Sequence, residues 1–363
     1  MPRQVVRVPL LGPSPVLQIV SGGRKGPHAP LELSRADLEA IARTVRNTPE
    51  VVVKVSGGGK TADAVQAHIE YIDRHGKLEI ETDEGPALQG KRAAAGLLED
   101  WNLALSSGQY RKPTQGEKDR RPKVVHNLVF SMVRGTPPDK LLAATQKFAR
   151  EHFALRHRYA MVLHTDQDHP HVHVVVKAES EQGERLYIRK PTLRQWRQDF
   201  AACLREQGVA ATATATGARG RLRDHKKDPI HQRIKHLKAY NALSAEDRSQ
   251  RTVRKPVESR YLRRKVEAVA QVLRSGEPVA DEGKQKLLRS RQAILADWAR
   301  IADQLDVQGE RALACEVRAM TAAMPPVVTE KERIAQGLAA QLHPQPARDA
   351  AQAPSRGAPA HVR

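Results

Sequence analysis

Cysteine is nearly absent. Cys203 and Cys315 are the two in 363 residues, and neither has partners at metal-ligand spacing, which excludes a disulfide framework and a zinc ribbon. Both lie in stretches that read as helical and are expected to be small buried hydrophobes. Aromatic residues make up 4% of the chain, too few for a recognition surface built mainly on base stacking. No apolar run reaches the ~18 residues that a spanning helix requires, and no signal-peptide pattern follows Met1, so the expectation is a cytoplasmic protein without membrane insertion. Acidic residues are in deficit, 41 against 61 Lys plus Arg, for a formal net charge of +20. Such an excess points to a polyanionic partner, nucleic acid first.

Hydrophobic spacing predicts an α+β core followed by an all-helical basic extension. Ser34 reads as the cap of a short helix through Leu38, Ile41 and Val45. Val51 to Val55 is a β-branched strand ended by Gly57, Gly58 and Gly59, and a helix through Val65, Ile69 and Ile72 follows. Leu78 to Thr82 alternates like a strand, Leu97, Trp101 and Leu105 suggest one helix, and Val124 to Met132 reads as a buried strand. Thr136, Pro137 and Asp139 open a helix that buries Leu141 and Phe148. Tyr159 to Leu163 and His171 to Val176 are two strands joined by a short polar stretch. Thr192 and Gln195 form a capping box for a helix through Trp196, Phe200 and Leu204, and the Thr/Ala alternation from Ala210 to Thr216 suggests a closing strand.

Beyond Gly217 charged amphipathic helices are expected on Ile230, Ile234 and Leu237, then Leu262 to Leu273, then Leu288 to Ile301. Residues 217 to 275 hold 17 Lys plus Arg against 6 Asp plus Glu. The expected division is an N-terminal segment 1–48, a core domain 49–216, a helical basic extension 217–342 and a disordered Pro-, Ala- and Arg-rich tail 343–363.

The residues from His164 to His173 include four histidines and two aspartates. Side chains two apart on a strand share a face, so His171 and His173 project together while Val172, Val174 and Val176 pack the other side. An antiparallel neighbour would bring His164 to the same level and complete a three-histidine metal site. Three protein ligands leave coordination positions open for water or a phosphate oxygen, as a Lewis-acid catalyst needs. Asp166 could orient a ligand imidazole or accept a proton from a nucleophile. His169, in the connection before Pro170, could equally face solvent.

Gly57-Gly58-Gly59-Lys60-Thr61 after a β-branched strand invites a phosphate-binding P-loop, but that motif needs glycine at position 54, where Lys54 stands. A glycine turn before a helix is what remains.

His164-x-Asp166 followed by His171-Val172-His173 resembles the third motif of the conjugative relaxases, the plasmid-mobilisation (MOBP-like) group of the HUH endonuclease superfamily. The likeness extends upstream. Ala67 to Gly76, containing His68, Tyr71 and Arg74, resembles the segment carrying the family's nucleophilic tyrosine. Asn127 to Met132 with Arg134 to Pro137 resembles the second motif, in which a serine or its surroundings contact DNA. The match covers roughly residues 50 to 216 in the family's motif order. It departs where many members have asparagine shortly after the second histidine, since this chain has Lys177.

The resemblance implies a central antiparallel sheet flanked by helices, the HUH or relaxase fold. It also implies a site- and strand-specific DNA endonuclease that nicks at a plasmid transfer origin by tyrosine transesterification, through a 5'-phosphotyrosyl DNA intermediate. On this reading Tyr71 and Asp166 are catalytic, His164, His171 and His173 hold a divalent metal, and Ser131, Arg134, Arg74 and His68 contact DNA. Magnesium or manganese follows from the family, and histidine donors also accept zinc. The implied partners are transfer-origin DNA, single-stranded or supercoiled, with a type IV secretion coupling protein and relaxosome accessory proteins. The implied setting is the bacterial cytoplasm, with transfer to the recipient cell alongside the DNA. Two other readings stay open: a rolling-circle replication initiator of the same superfamily, which generally places its tyrosine after the histidine motif, and a non-catalytic basic DNA-binding protein with a structural metal.

Overall fold

The computed structural model describes Val16, Ile19, Val20 and residues 32–85, 87–114, 116–214, 216–220, 260–276 and 282–342. Its centre is a five-stranded antiparallel sheet of β1 (Val52–Gly57), β2 (Glu81–Thr82), β3 (Val125–Ser131), β4 (Tyr159–His164) and β5 (His171–Lys177), in the order β1-β3-β5-β4-β2. β5 sits in the middle because its valines must be buried on both faces. A continuous β-branched run has no solvent side to offer.

The two faces carry different helices. On one, Val53, Phe130, Val172, Val174 and Met161 pack against Phe148, Trp196 and Phe200 of α5 (Pro138–His152) and α6 (Lys190–Glu206). On the other, Val125, Val175, Ala160 and Val162 meet Val65, Ile69 and Ile72 of α2 (Ala62–Ile72), with Leu97 and Trp101. The helix stripes legible in the sequence supply these contacts at i, i+3 and i+4 spacing. Toward β1 this second face opens, with Val52 at 44% exposure and Lys54 exposed.

The local signals hold where short-range chemistry decides. Ser34 caps α1 (Arg35–Val45) in a reciprocal box with Asp37. Five expectations are corrected. The strand expected from Leu78 shrinks to Glu81–Thr82, because the amides of Lys77 and Leu78 bond back to the Asp73 carbonyl and close the turn after α2. The helix through Leu97, Trp101 and Leu105 is two, Ala93–Asp100 and Leu103–Gly108. Asn102 at φ 50° breaks it and leaves Leu105 72% exposed.

Helix α6 starts at Lys190 rather than after Thr192. Pro191 fits its first turn, and Thr192 Oγ1 accepts from the Arg189 amide. The Thr/Ala segment forms one parallel bridge, Glu50 to Thr212, instead of a strand. Its hydroxyls are spent on one another, with Thr214 bonded to Thr44 and Thr212. Of the cysteines, Cys203 is buried and Cys315 is exposed, so the expectation fails for the second.

Packing divides the chain into two units, Met1–Arg219 with Asp297–Ala322, and Gly220–Ala296 with Ala323–Arg363. Within the first, Trp298 is fully buried and donates from Nε1 to the Ala218 carbonyl at 2.7 Å. Within the second, Lys265 pairs with Glu330 and Lys284 with Glu332. Beyond residue 259 the described elements are the helices Arg260–Ser275, Glu282–Val307, Arg311–Ala322 and Glu330–Leu342. The helix expected on Ile230, Ile234 and Leu237, and the tail, lie outside the described residues. Among the described residues no helix is long and apolar enough to cross a membrane.

Two imidazoles away from the histidine cluster, His157 buried and His126 half-buried, give the fold a pH dependence. Burial pushes His126 and His157 below the ordinary histidine pKa, against weaker support from hydrogen bonds to the carbonyls of Leu186 and Lys177. A neutral imidazole in the folded state and a protonatable one in the unfolded chain mean that unfolding takes up protons. Stability is therefore complete above about pH 6.5 and declines as pH falls below it. Thermal melting in EDTA from pH 7.5 down to 5 should show a flat plateau and then a falling midpoint; a midpoint unchanged at pH 5 would mean both rings protonate in place without cost.

Candidate metal centre and nucleophile

The hairpin of β4 and β5 builds the cluster. Its register sets His164 directly opposite His171 and Val162 opposite His173, so three imidazoles meet on one face at the mouth of the hairpin. One nitrogen from each of His164, His171 and His173 lies within 4.8 Å of the others, and ring centres are 4.7 to 5.1 Å apart. Two imidazoles bonded at about 2.1 Å to one ion, at right angles to each other, put ring centres about 4.6 Å apart, so the trio suits one cation.

Backbone carbonyls set which nitrogens are left. His164, 2% exposed, places Nε2 2.6 Å from the Ile72 carbonyl at the end of α2, which therefore accepts its proton and leaves the lone pair on Nδ1. His171 Nδ1 donates to the His169 carbonyl at 3.1 Å, which frees Nε2. His173 has no such anchor, and its Nδ1 is buried without a hydrogen-bond partner. Burial, then the neighbouring imidazoles and Arg74, push His173 down to about 3, and burial depresses His164 as well. Both rings are thus held neutral, the form that binds metal. The donor set fits a divalent ion, with nitrogen preference favouring manganese or zinc over magnesium.

Tyr71 stands one residue before the carbonyl that anchors His164. It is 60% exposed near the end of α2, one turn after Ala67 and His68 on the helix surface. After the helix, Arg74 and His75 take left-handed backbone at φ 58° and 57°, an unfavourable conformation for two successive non-glycine residues. The turn is held by the His75 amide bonding Glu70 and the Gly76 amide bonding Asp73. It aims Arg74 back at the cluster. The guanidinium lies 5.4 Å from the Tyr71 ring centre, donates to Asp166 at 2.5 Å, and sits 3.4 Å from His164 Nδ1.

Arg74 holds the Asp166 carboxyl below its usual pKa, chiefly through that hydrogen bond. Asp166 itself is 3.9 Å from His164 Nδ1, so the Ile72 carbonyl rather than a carboxylate meets the His164 ring. His68, one turn before Tyr71, faces His173 edge-on with ring centres 6.4 Å apart; its Nε2 is buried without a partner, and burial lowers its pKa.

Ser131 pairs in register with His171, and its hydroxyl donates to the Pro170 carbonyl at 3.1 Å, bracing the segment that leads into the histidine strand. Arg134 is exposed in the turn beyond β3, and His169 is exposed in the hairpin connection. Tyr71, Arg74, Asp166 and the three histidines are thus brought together. The carbonyls of Ile72 and His169 escaped sequence reading because every residue carries a carbonyl; only the fold says which ones face a ring.

Comparison with known proteins gives the same direction. Residues 92–209 match the family described as relaxase, MobA/VirD2-like, nuclease domain. Over 208 residues the chain is 26% identical to the T-DNA border endonuclease VirD2 of Rhizobium radiobacter, covering 52% of this chain and 47% of that protein. It is 26% identical over 189 residues to the VirD2 endonuclease of Agrobacterium fabrum, covering 47% of this chain and 41% of the relative. The chain thus spans about half the length of the curated relatives it matches. A solved structure described as "Molecular Basis of Vancomycin Resistance Transfer in Staphylococcus aureus" aligns with 46% of this chain and 99% of its own at 11% identity, with a TM-score of 0.31 that carries no weight here. Residues 92–209 are thus similar to the relaxase nuclease domain, the two relatives are endonucleases, and the antiparallel α+β sheet is consistent with that fold.

Proposed function

We propose that this chain nicks one strand of DNA at a plasmid transfer origin and becomes covalently joined to it through Tyr71. The observation that carries the reading is the 2.6 Å contact between His164 Nε2 and the Ile72 carbonyl, which ties the helix bearing the exposed tyrosine to the histidine cluster. A nucleophile on a separate element would otherwise have no fixed distance to the phosphate it attacks.

The Tyr71 phenolic oxygen attacks the scissile phosphorus, forming a Tyr–O–P bond as the P–O3' bond breaks. The phenol proton passes to a basic group or water, and the departing 3'-oxygen gains one. One phosphodiester replaces another, so rejoining needs no ATP. His164, His171 and His173 would hold a divalent ion, which would supply Lewis-acid stabilisation of the phosphate. Arg74, poised between Tyr71 and Asp166, offers a cation to the incoming phosphate and supports the phenolate by its charge. Asp166 keeps Arg74 aimed. Ser131 and Arg134 bind the DNA backbone near the open face of β1 and β3, where Lys54 adds charge.

The catalytic chemistry is assigned to residues 49–216, with the basic segment 217–342 as a DNA- or partner-binding arm. Coupling and accessory proteins of a transfer apparatus are the expected protein partners; manganese or magnesium follows from the family resemblance, and the nitrogen donors favour manganese of the two. Tyr71 precedes the histidines, which favours a relaxase over a rolling-circle initiator.

The test is to incubate the chain with single-stranded transfer-origin DNA, with and without EDTA, and to run denaturing gels before and after protease. A metal-dependent, protease-sensitive adduct is expected. Tight, salt-sensitive binding without cleavage across several divalent ions would overturn the enzymatic reading in favour of a DNA-binding protein.

A further inference from the structure

Histidines that bind a metal donate their other ring N–H to a carbonyl, carboxylate or water, which fixes the tautomer and the ring plane. Two of the three cluster histidines do so within the chain, His164 to the Ile72 carbonyl and His171 to the His169 carbonyl. His173 is the exception, with Nδ1 buried and unpartnered. Such a nitrogen is costly unless the native state satisfies it. The same side of α2 carries a second buried, unpartnered nitrogen, Nε2 of His68. The two rings are neighbours at 6.4 Å between centres, in an edge-on arrangement.

We propose that His68 is the positioning residue for His173: its Nε2 accepts the His173 Nδ1–H through one bridging water, and so turns His173 Nε2 toward the metal. This rests on the reading of His164, His171 and His173 as the metal ligands, and it reassigns His68 from the DNA-contacting role expected from sequence. Each ring then has one nitrogen tied down, which leaves the other as its donor to the metal. The tie also runs in the opposite direction. His68 and Tyr71 are three apart on α2, so they are adjacent on the helix surface. The nucleophile's helix is thereby joined to the cluster at two points, at its end through Ile72 and one turn earlier through His68. A phosphate contact would suit His68 less well, because its Nε2 is withdrawn from solvent and sits beside an imidazole rather than on the open face.

The experiment is calorimetric titration of manganese into the full, EDTA-stripped chain, comparing wild type with His68→Leu, His68→Gln and His173→Ala, with a thermal melt of each. The glutamine carbonyl can accept the same hydrogen bond; leucine cannot. The expected result is saturable binding by wild type, none by His173→Ala, binding about 10–100-fold weaker in His68→Leu, and affinity within a few-fold of wild type in His68→Gln. Wild-type affinity in His68→Leu, with His173→Ala still inactive in binding, would overturn the role of His68 and leave the metal site standing. Equal loss in His68→Leu and His68→Gln would also overturn it, since an acceptor would then not suffice. No binding by wild type, or undiminished binding by His173→Ala, would remove the three-histidine site and the proposal with it.

Discussion

Tyr71→Phe is expected to eliminate the covalent protein–DNA adduct, with a fall of at least about a thousandfold in yield, the scale typical of removing a nucleophile. DNA affinity should stay close to wild type. The change deletes one oxygen from a side chain that is 60% exposed, so no buried partner is stranded and the thermal midpoint should hardly move. The ring that faces the Arg74 guanidinium is retained, which keeps the turn after α2 in place. Gel analysis of the adduct alongside a binding isotherm separates chemistry from recognition. An adduct that survives would move the nucleophile to another tyrosine, with Tyr187, 69% exposed, the next to test; Tyr159, 4% exposed, is too buried to reach DNA.

His164→Ala should damage the protein in two ways that His171→Ala does not combine. Both substitutions remove one of the three cluster nitrogens and should abolish metal-dependent cleavage. His164, however, is also the partner of the Ile72 carbonyl. Removing its 2%-exposed ring leaves a cavity between the hairpin and α2 and strands that carbonyl, at a cost of about 2–4 kcal/mol. His171, whose Nδ1 bonds the nearby His169 carbonyl within its own hairpin, should cost less. Melting curves in EDTA check the stability difference, and the cleavage assay with added manganese checks the chemistry. Equal melting points for the two variants would show that the Ile72 contact does not hold α2 in place. Retained cleavage in both would show that the cluster serves structure only.

Part of this architecture was readable directly. Period-two alternation around His171, Val172, His173 and Val174 needs no tertiary information: successive strand side chains must point to opposite faces. The same holds for the i, i+3, i+4 stripe of Val65, Ile69 and Ile72 and for the Ser34 cap, whose partners lie within one turn. Failures came where a local pattern met a left-handed backbone break or a bond to a residue distant in sequence. Asn102 in the left-handed region split a helix whose apolar spacing ran straight across it. Thr212 and Thr214 alternate like strand residues, yet the hydroxyl of Thr214 reaches Thr44, which no window of sequence around it contains.

The candidate site divides in the same manner. Residue identity and spacing by themselves determined that two histidines share a strand face and that a third can oppose them, because the hairpin is short and its register follows from the valines that must be buried. The chain's basic excess was likewise a property of composition alone. Only the tertiary structure decided that the last carbonyl of α2 takes the His164 proton, that two left-handed residues turn Arg74 back between Tyr71 and Asp166, and that His68 comes to face His173. The physical reason is separation along the chain: residues 68–74 and 164–173 are about ninety positions apart, and only packing of α2 against the sheet brings a backbone oxygen, a guanidinium and an imidazole to the histidine cluster.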